Sequence, residues 1–142
     1  MLDTASSDRV VACIRAAEAR TTGEIRVCVE SRCGYMDAMD RAAELFAQLG
    51  MDQTERRNGV VLYLALKDHQ FAIYGDQAIY EAGGSSLWQH AADEMRQRLR
   101  AGDIAAALCG AIEEIGVALA GHFPPDPSVV KNELPDEIIF GQ

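Results

Sequence analysis

Val60-Val61-Leu62-Tyr63-Leu64-Ala65-Leu66 is a continuous apolar run in the middle of the chain, and it decides the fold. A run of strand length without polar alternation is typical of a central strand that helices cover on both faces. Residues 67–70 have the composition of a turn, and residues 71–74 return as the antiparallel partner in a hairpin. The sequence therefore predicts a sheet whose centre lies at residues 60–66.

Amphipathic segments on both sides of this run complete the prediction. Residues 24–30 alternate as a strand, and a helix that Asp37 caps and Gly50 ends would join this strand to the central one by a right-handed crossover. Ser6 or Ser7 can cap a first helix, residues 83–86 (Gly-Gly-Ser-Ser) lead into a third, and Asp103 can cap a fourth. The order α-β-α-β-β-α-α predicts an α/β fold. We expect a three-layer α/β/α sandwich of Rossmann-like appearance, with a mixed central sheet that contains a parallel pair and an antiparallel hairpin.

The length of 142 residues is that of a single domain, which we place at residues 1–123. Prolines cluster after Phe123, so residues 124–142 are predicted to be an extended tail that packs on the domain. The tail ends in apolar residues around Ile138, Ile139 and Phe140, which would invite aggregation if they were exposed. The alternative is that a partner protein captures the tail as an added strand.

The charge balance limits the class of partner. Thirteen basic and 22 acidic residues give a formal net charge of −9, which disfavours nucleic acid and anionic membrane surfaces. No stretch was expected to reach the ~20 apolar residues that cross a bilayer, and residues 1–8 do not resemble a signal peptide. These features predict a cytoplasmic protein without direct membrane insertion. The scattered cysteines are predicted to be reduced core residues: Cys13, Cys28, Cys33 and Cys109.

Strand directions bring several polar residues to one edge of the predicted sheet. Glu24 begins the first of two parallel strands, Asn58 precedes the second, and Asp76 follows the strand that returns to the same edge. Carboxylate, hydroxyl and amide oxygens are hard ligands that suit Ca²⁺ or Mg²⁺. The sequence thus predicts a cation site with three carboxylate ligands and five further residues: Glu24, Asp76 and Glu81, with Thr21, Thr22, Arg57, Asn58 and Gly75 around them.

The same residues also have purely structural interpretations. Glu24 can bind a backbone amide or pair with Arg57, and Asp76 can cap a short helix near Gln77. The pair Asn58-Gly59 is typical of a turn with positive φ. The sequence leaves these alternatives open beside the cation site.

Five segments resemble, in order, the pattern of the TPM domain family, which includes the thylakoid lumen repair protein. They are residues 17–25 (Ala-Glu-Ala-Arg-Thr-Thr-Gly-Glu-Ile), 57–62 (Arg-Asn-Gly-Val-Val-Leu), 71–76 (Phe-Ala-Ile-Tyr-Gly-Asp), 99–108 and 132–141. The last segment, Asn-Glu-Leu-Pro-Asp-Glu-Ile-Ile-Phe-Gly, is similar to the end of a short, stand-alone bacterial subgroup. The resemblance covers about residues 7 to 141.

The resemblance implies two classes of function. The family occurs beside LemA-type proteins and in membrane-anchored forms, and a plant relative is assigned acid phosphatase activity. This chain has Ala82-Gly83-Gly84-Ser85 where many relatives carry an aspartate, and it has no nucleophile motif of known phosphatases. We therefore predict a non-catalytic module that binds a divalent cation or another protein, with a LemA-type or other membrane-associated partner in the maintenance of a membrane complex. The alternative is a metal-dependent acid-phosphatase-like hydrolase, with Arg57 neutralising the developing charge.

Overall fold

The computed structural model describes residues 2–34, 36–128 and 138–141. Within these residues the strands β1 (Glu24–Glu30), β2 (Gly59–Ala65), β3 (Gln70–Gly75) and β4 (Ile139–Phe140) form one sheet in the order β3-β2-β1-β4. β1 and β2 are parallel, with Glu24 opposite Gly59, and β2 and β3 are antiparallel, with Val60 opposite Gly75. The predicted mixed sheet with its parallel pair and hairpin is confirmed.

Helices cover both faces of the sheet. The helices are α1 (Thr4–Glu18), α2 (Ala38–Gln48), α3 (Gln77–Arg100) and α4 (Ile104–His122), with a short 3-10 helix at Met51–Gln53. One core joins α1, α3 and α4 to the side of the sheet that carries Ile25, Val27 and Val29. The other core joins α2 and the 3-10 helix to the side that carries Cys28, Val61 and Tyr63. Because β1 and β2 are buried on both sides, the predicted α/β fold with three layers is confirmed.

Aspartates cap all four of the described α-helices through hydrogen bonds from backbone amides. Asp37 accepts from Asp40 at the start of α2, and Asp103 accepts from Ala106 at the start of α4, as predicted. The cap of α1 is Asp3, which accepts from the Ser6 amide at 2.7 Å. The prediction of Ser6 or Ser7 as this cap was wrong, because the helix begins earlier and takes both serines into its first turn.

The third helix also begins earlier than the sequence predicted. Asp76 caps α3 at Gln77, which confirms the interpretation of Asp76 as a helix cap, whereas the third long helix was predicted to start only after residues 83–86. Gly84 interrupts the helix with φ 72° and ψ 168°, a left-handed conformation that suits glycine. The polar composition around residues 83–86 therefore marks a kink inside the helical segment and not its beginning.

The C-terminal residues add a strand to the sheet. Ile139 and Phe140 pair in parallel with Cys28 and Val29, and the Gly141 amide donates to the Val29 carbonyl at 2.8 Å. β4 thereby covers the outer edge of β1. The family-like stretch 132–137 lies outside the described residues.

Helix α4 corrects one expectation about membranes. By length and composition Ile104–His122 could cross a bilayer, so the prediction that no segment is long and apolar enough was wrong. In the fold this helix packs between α1 and α3, and half of it is buried. Its apolarity follows from that position, because a core helix contacts apolar neighbours on several sides.

Candidate functional site

The predicted meeting point exists at the level of the backbone. β1 and β2 begin side by side, and β3 ends against the start of β2. The Asp76 amide donates to the Gly59 carbonyl at 2.9 Å, which joins the end of β3 to the start of β2. The polar residues of the prediction therefore lie at one edge of the sheet, and their side chains decide what that edge can do.

Arg57 and Asp76 form a two-pronged ion pair at this edge. Arg57 donates from Nε to Asp76 Oδ2 at 2.9 Å and from Nη2 to Oδ1 at 3.0 Å. The Gln77 amide donates to the same Oδ1 at 2.7 Å, so the carboxylate also caps α3. Asp76 is 4% exposed. The hydrogen bonds and charge of Asp76 raise the pKa of Arg57 above its usual value, which keeps the guanidinium charged.

The backbone of Arg57 has a positive φ. Its φ of 53° lies in the left-handed region, which a residue with a side chain adopts at a cost in free energy. The Arg57 carbonyl accepts the Ala78 amide at 3.1 Å, so main chain and side chain both hold the start of α3. The sequence assigned positive φ to the pair Asn58-Gly59, and this was wrong: Gly59 lies in β2 and packs against Met51.

Asn58 and Thr22 meet inside the protein. Asn58 Nδ2 donates to Thr22 Oγ1 at 3.1 Å, and both side chains are buried. The Thr22 amide donates to the Phe123 carbonyl at 3.1 Å. These bonds connect the entry of β2, the entry of β1 and the end of α4.

Thr21 has a similar role on the side of α4. Its hydroxyl contacts the Phe123 carbonyl and the Leu119 carbonyl, the latter at 3.1 Å, and it accepts the Gly23 amide at 3.0 Å. Gly23 packs so closely against Leu119 that a β-carbon would approach the leucine side chain to 2.7 Å. The Thr21-Thr22-Gly23 segment therefore fastens the last turn of α4 to the sheet.

Glu24 is buried at the start of β1. By the alternation of β1 it faces the α2 side of the sheet, together with Cys28. Sequence reasoning missed its neighbour Glu18, which is buried at the end of α1 and accepts the Ile25 amide at 2.8 Å. A signal was present, because Glu18 continues the Val10–Ile14 stripe at four-residue spacing.

A cavity of about 510 Å³ opens beside the ion pair. Four of the predicted site residues line it, namely Arg57, Gly75, Asp76 and Glu81. Thr21, Thr22, Glu24 and Asn58 do not line this cavity. Glu81 is exposed and lies one helical turn beyond the cap, with Gln77 Nε2 at 3.5 Å from its Oε1. Among the described residues, no group of three or more Asp, Glu, His or Cys side chains is placed to hold a metal ion.

Family comparison identifies the domain. A model of the TPM domain matches residues 1–118, which is most of the chain. The chain belongs to the TPM domain family. No curated protein matches this TPM domain.

Solved structures agree with the identification. The NMR structure of BA42 from the psychrophilic bacterium Bizionia argentinensis is similar at 35% identity and a TM-score of 0.90, covering 99% of this TPM domain chain and 96% of BA42. The N-terminal domain of cg2496 from Corynebacterium glutamicum has 16% identity and a TM-score of 0.70, over 95% and 84% of the two chains. A P. gingivalis N-terminal domain has 20% identity and a TM-score of 0.71, over 88% and 82%. The last two show the shared fold alone.

This TPM domain also holds a polar cluster that sequence reasoning missed. Glu30 accepts from Arg41 Nε and Nη2 at 2.9 and 2.7 Å and from the Tyr63 hydroxyl at 2.8 Å. The Arg41 hydrogen bonds, followed by that of Tyr63, lower the pKa of Glu30. Burial and the Glu30 hydrogen bond raise the pKa of Tyr63. The cluster joins β1, α2 and β2 next to β4, where Gly141 leaves room for the Glu30 carboxylate.

Proposed function

We propose that this TPM domain is a non-catalytic module that binds other proteins. The observation that carries the proposal is the ion pair between Arg57 and Asp76. In the phosphatase hypothesis, Asp76 would hold a cation and Arg57 would neutralise charge on a phosphoryl group. Both groups are instead bonded to each other, and the Asp76 carboxylate accepts a third hydrogen bond from Gln77.

The cavity beside the pair supports the same interpretation. Among the described residues, those that line it include no serine, threonine, cysteine or histidine, so they offer no serine, threonine or thiol nucleophile and no imidazole base. Thr21, Thr22 and Asn58, which could have supplied hydroxyl and amide groups, are engaged in the hydrogen bonds that join β1, β2 and α4. These residues stabilise the edge of the sheet as a rigid unit.

The partner class comes from the family resemblance. We place the partner among LemA-type or other membrane-associated proteins, in the maintenance of a membrane complex, and we place the domain itself in the cytoplasm. The net charge of −9 supports a protein partner over nucleic acid, because phosphate would be repelled.

A cation is the second candidate, favoured by the cavity that Asp76 and Glu81 share. Ca²⁺ or Mg²⁺ would have to displace Arg57 from Asp76, and the half-exposed Arg57 side chain has room to turn into solvent. Titration of the ¹⁵N-labelled protein with each ion tests this candidate. Amide shifts centred on residues 75–81 at millimolar ion would support it, and unchanged spectra would remove the cation.

Hydrolysis of p-nitrophenyl phosphate, with and without Ca²⁺ and Mg²⁺, tests the main proposal. We expect no turnover that requires Asp76 or Arg57. The site variants are Asp76→Asn and Arg57→Ala, and the matched surface variants Asp8→Asn and Arg20→Ala serve as controls. Turnover by the wild type that both site variants abolish, while both controls and the folded state are retained, would overturn the proposal.

A further inference from the structure

One edge of the sheet is covered by a paired strand, and the other is open within the described residues. β4 pairs with the outer edge of β1 and covers it. β3 is the last strand on the other side, and no described segment pairs with its outer edge. An open edge presents unpaired backbone N–H and C=O groups that can bind another strand.

A groove runs along this open edge. Cavities of about 480, 650 and 510 Å³ follow one another from the start of β3 to its end. The first and second share His69, Phe71 and Arg96, and the second and third share Met39, Ile73 and Tyr80. We call this continuous depression the β3 groove. β3 spans Gln70–Gly75, so the groove can hold an extended segment of about 20 Å at roughly 3.4 Å per residue.

Apolar side chains from both helical layers line the middle of the groove. Met39 on α2 and Trp88 on α3 line the middle cavity from opposite layers. Tyr80 stacks on Trp88 with 6.0 Å between ring centroids, and Trp88 Nε1 donates to the Tyr80 carbonyl at 3.1 Å. Tyr80 and Met39 nevertheless remain 59% and 48% exposed. Exposed aromatic and methionine side chains around a groove are typical of protein-binding surfaces.

Basic side chains at the first cavity indicate which charge a ligand of the groove should carry. His69, Arg96 and Arg100 line the first cavity, whose remaining walls are largely apolar. Arg100 is exposed and has no ion pair or hydrogen bond within the described part of the chain. In a protein of net charge −9, this basic end is complementary to a carboxylate next to an apolar side chain.

We propose that the β3 groove binds an extended, acidic segment of a partner protein by strand addition. The segment pairs its backbone with the open edge of β3, places an apolar side chain in the cavity beside Phe71, and places a carboxylate against Arg96 and Arg100. This inference rests on the proposed function as a protein-binding module, and it names the surface and the chemistry of the partner.

Selection from a displayed library of random peptides tests the groove. Enriched peptides are synthesised and bound to the full-length ¹⁵N-labelled protein. We expect sequences that combine acidic and apolar residues, with the largest amide shifts at residues 70–75. Arg100→Glu should weaken binding at least about fivefold, whereas Arg20→Glu, the same change near the end of α1, should not. Ala92→Trp should fill the middle cavity and abolish binding, and Ala12→Trp on α1 should leave it intact.

The possible outcomes distinguish failure of the groove proposal from failure of the proposed function. If the peptides bind Arg100→Glu and Ala92→Trp as tightly as the wild type, the β3 groove is not the binding site, and the proposal of a protein-binding module still stands. The absence of any enriched peptide, or binding to phosphatidylglycerol vesicles in place of peptides, would also contradict the proposal that the β3 groove binds an acidic segment. Phosphate-ester hydrolysis that requires Asp76 would instead overturn the proposed function, and it is measured independently.

Discussion

The Arg57 guanidinium and the Asp76 carboxylate are joined by two hydrogen bonds, at 2.9 and 3.0 Å, across the edge where β2 begins and α3 starts. The same carboxylate caps α3, and the carbonyl of Arg57 accepts an amide from the first turn of that helix. A single carboxylate thus fixes the end of β3, the start of α3 and the loop before β2. This arrangement explains why these charged residues meet at one edge of the sheet.

The buried hydrogen bond between Asn58 and Thr22 predicts a stability effect. Asn58→Ala removes the donor and leaves the Thr22 hydroxyl without it in the interior, so we expect a loss of about 1 to 3 kcal/mol in the free energy of unfolding. Chemical denaturation measures the change, with the exposed α3 variant Gln97→Ala as the control. A loss no larger than that of the control would contradict the structural role of Asn58.

The Glu30 cluster predicts a pH dependence. Because hydrogen bonds from Arg41 and Tyr63 lower the folded-state pKa of Glu30 below its ordinary 4.5, its contribution is present above that value and is lost as the pH falls through the folded-state pKa. Below pH 4.5, the wild type should lose stability more steeply than Glu30→Gln, and Tyr63→Phe should lie between them. Equal slopes for the wild type and Glu30→Gln from denaturation at several pH values would refute this coupling.

The thiols of Cys13 and Cys109 predict a cross-link between α1 and α4. Their Sγ atoms lie 2.6 Å apart, and burial, followed by the Cys13 hydrogen bond, raises the pKa of Cys109 to about 12. With excess oxidised glutathione we expect slow formation of one disulfide, loss of two hydrogen atoms from the protein, and reduction of glutathione to its thiol. Oxidation should be faster at higher pH, because the thiolate is the attacking species.

The cross-link should also stabilise the fold. Closing a loop of 96 residues restricts the unfolded chain, and the chain-entropy model gives about 4 to 5 kcal/mol before strain. Mass spectrometry and thermal unfolding follow the reaction, with Cys13→Ser as the control. A wild type that gains no cross-link, or that gains one without a higher melting temperature, would contradict the expectation.

The parallel pair, the hairpin and the layers could be predicted from the sequence because apolar runs and alternation are local signals. The run at residues 60–66 indicated a strand buried on both faces, and β2 occupies Gly59–Ala65. The start of α3 was missed because Gly83, Gly84 and the serines after them suggested a loop, while Gly84 alone supplies a kink within the helix. Propensity does not distinguish a kink from a boundary.

At the candidate site, the backbone positions could be predicted from the sequence but the side-chain contacts could not. Strand direction correctly brought Glu24, Asn58 and Asp76 to one edge. It could not show that Glu24 lies on the α2 side or that Asn58 turns inward to Thr22, because side-chain partners depend on distant elements such as the end of α4. The left-handed Arg57 was equally hidden, since glycine is the usual residue for that conformation and Gly59 stood two positions away.

A double-mutant cycle on Arg57 and Asp76 shows whether their ion pair stabilises the fold. We expect Asp76→Ala to lower the free energy of unfolding by at least about 1 kcal/mol through loss of the α3 cap. We expect Asp76→Ala combined with Arg57→Gln to cost less than the sum of the single variants, because the two side chains bind each other. Residues kept for catalysis or metal binding often reduce stability, so their removal tends to raise it. An Asp76→Ala variant as stable as the wild type or more stable, or strictly additive effects, would refute the structural role of the pair.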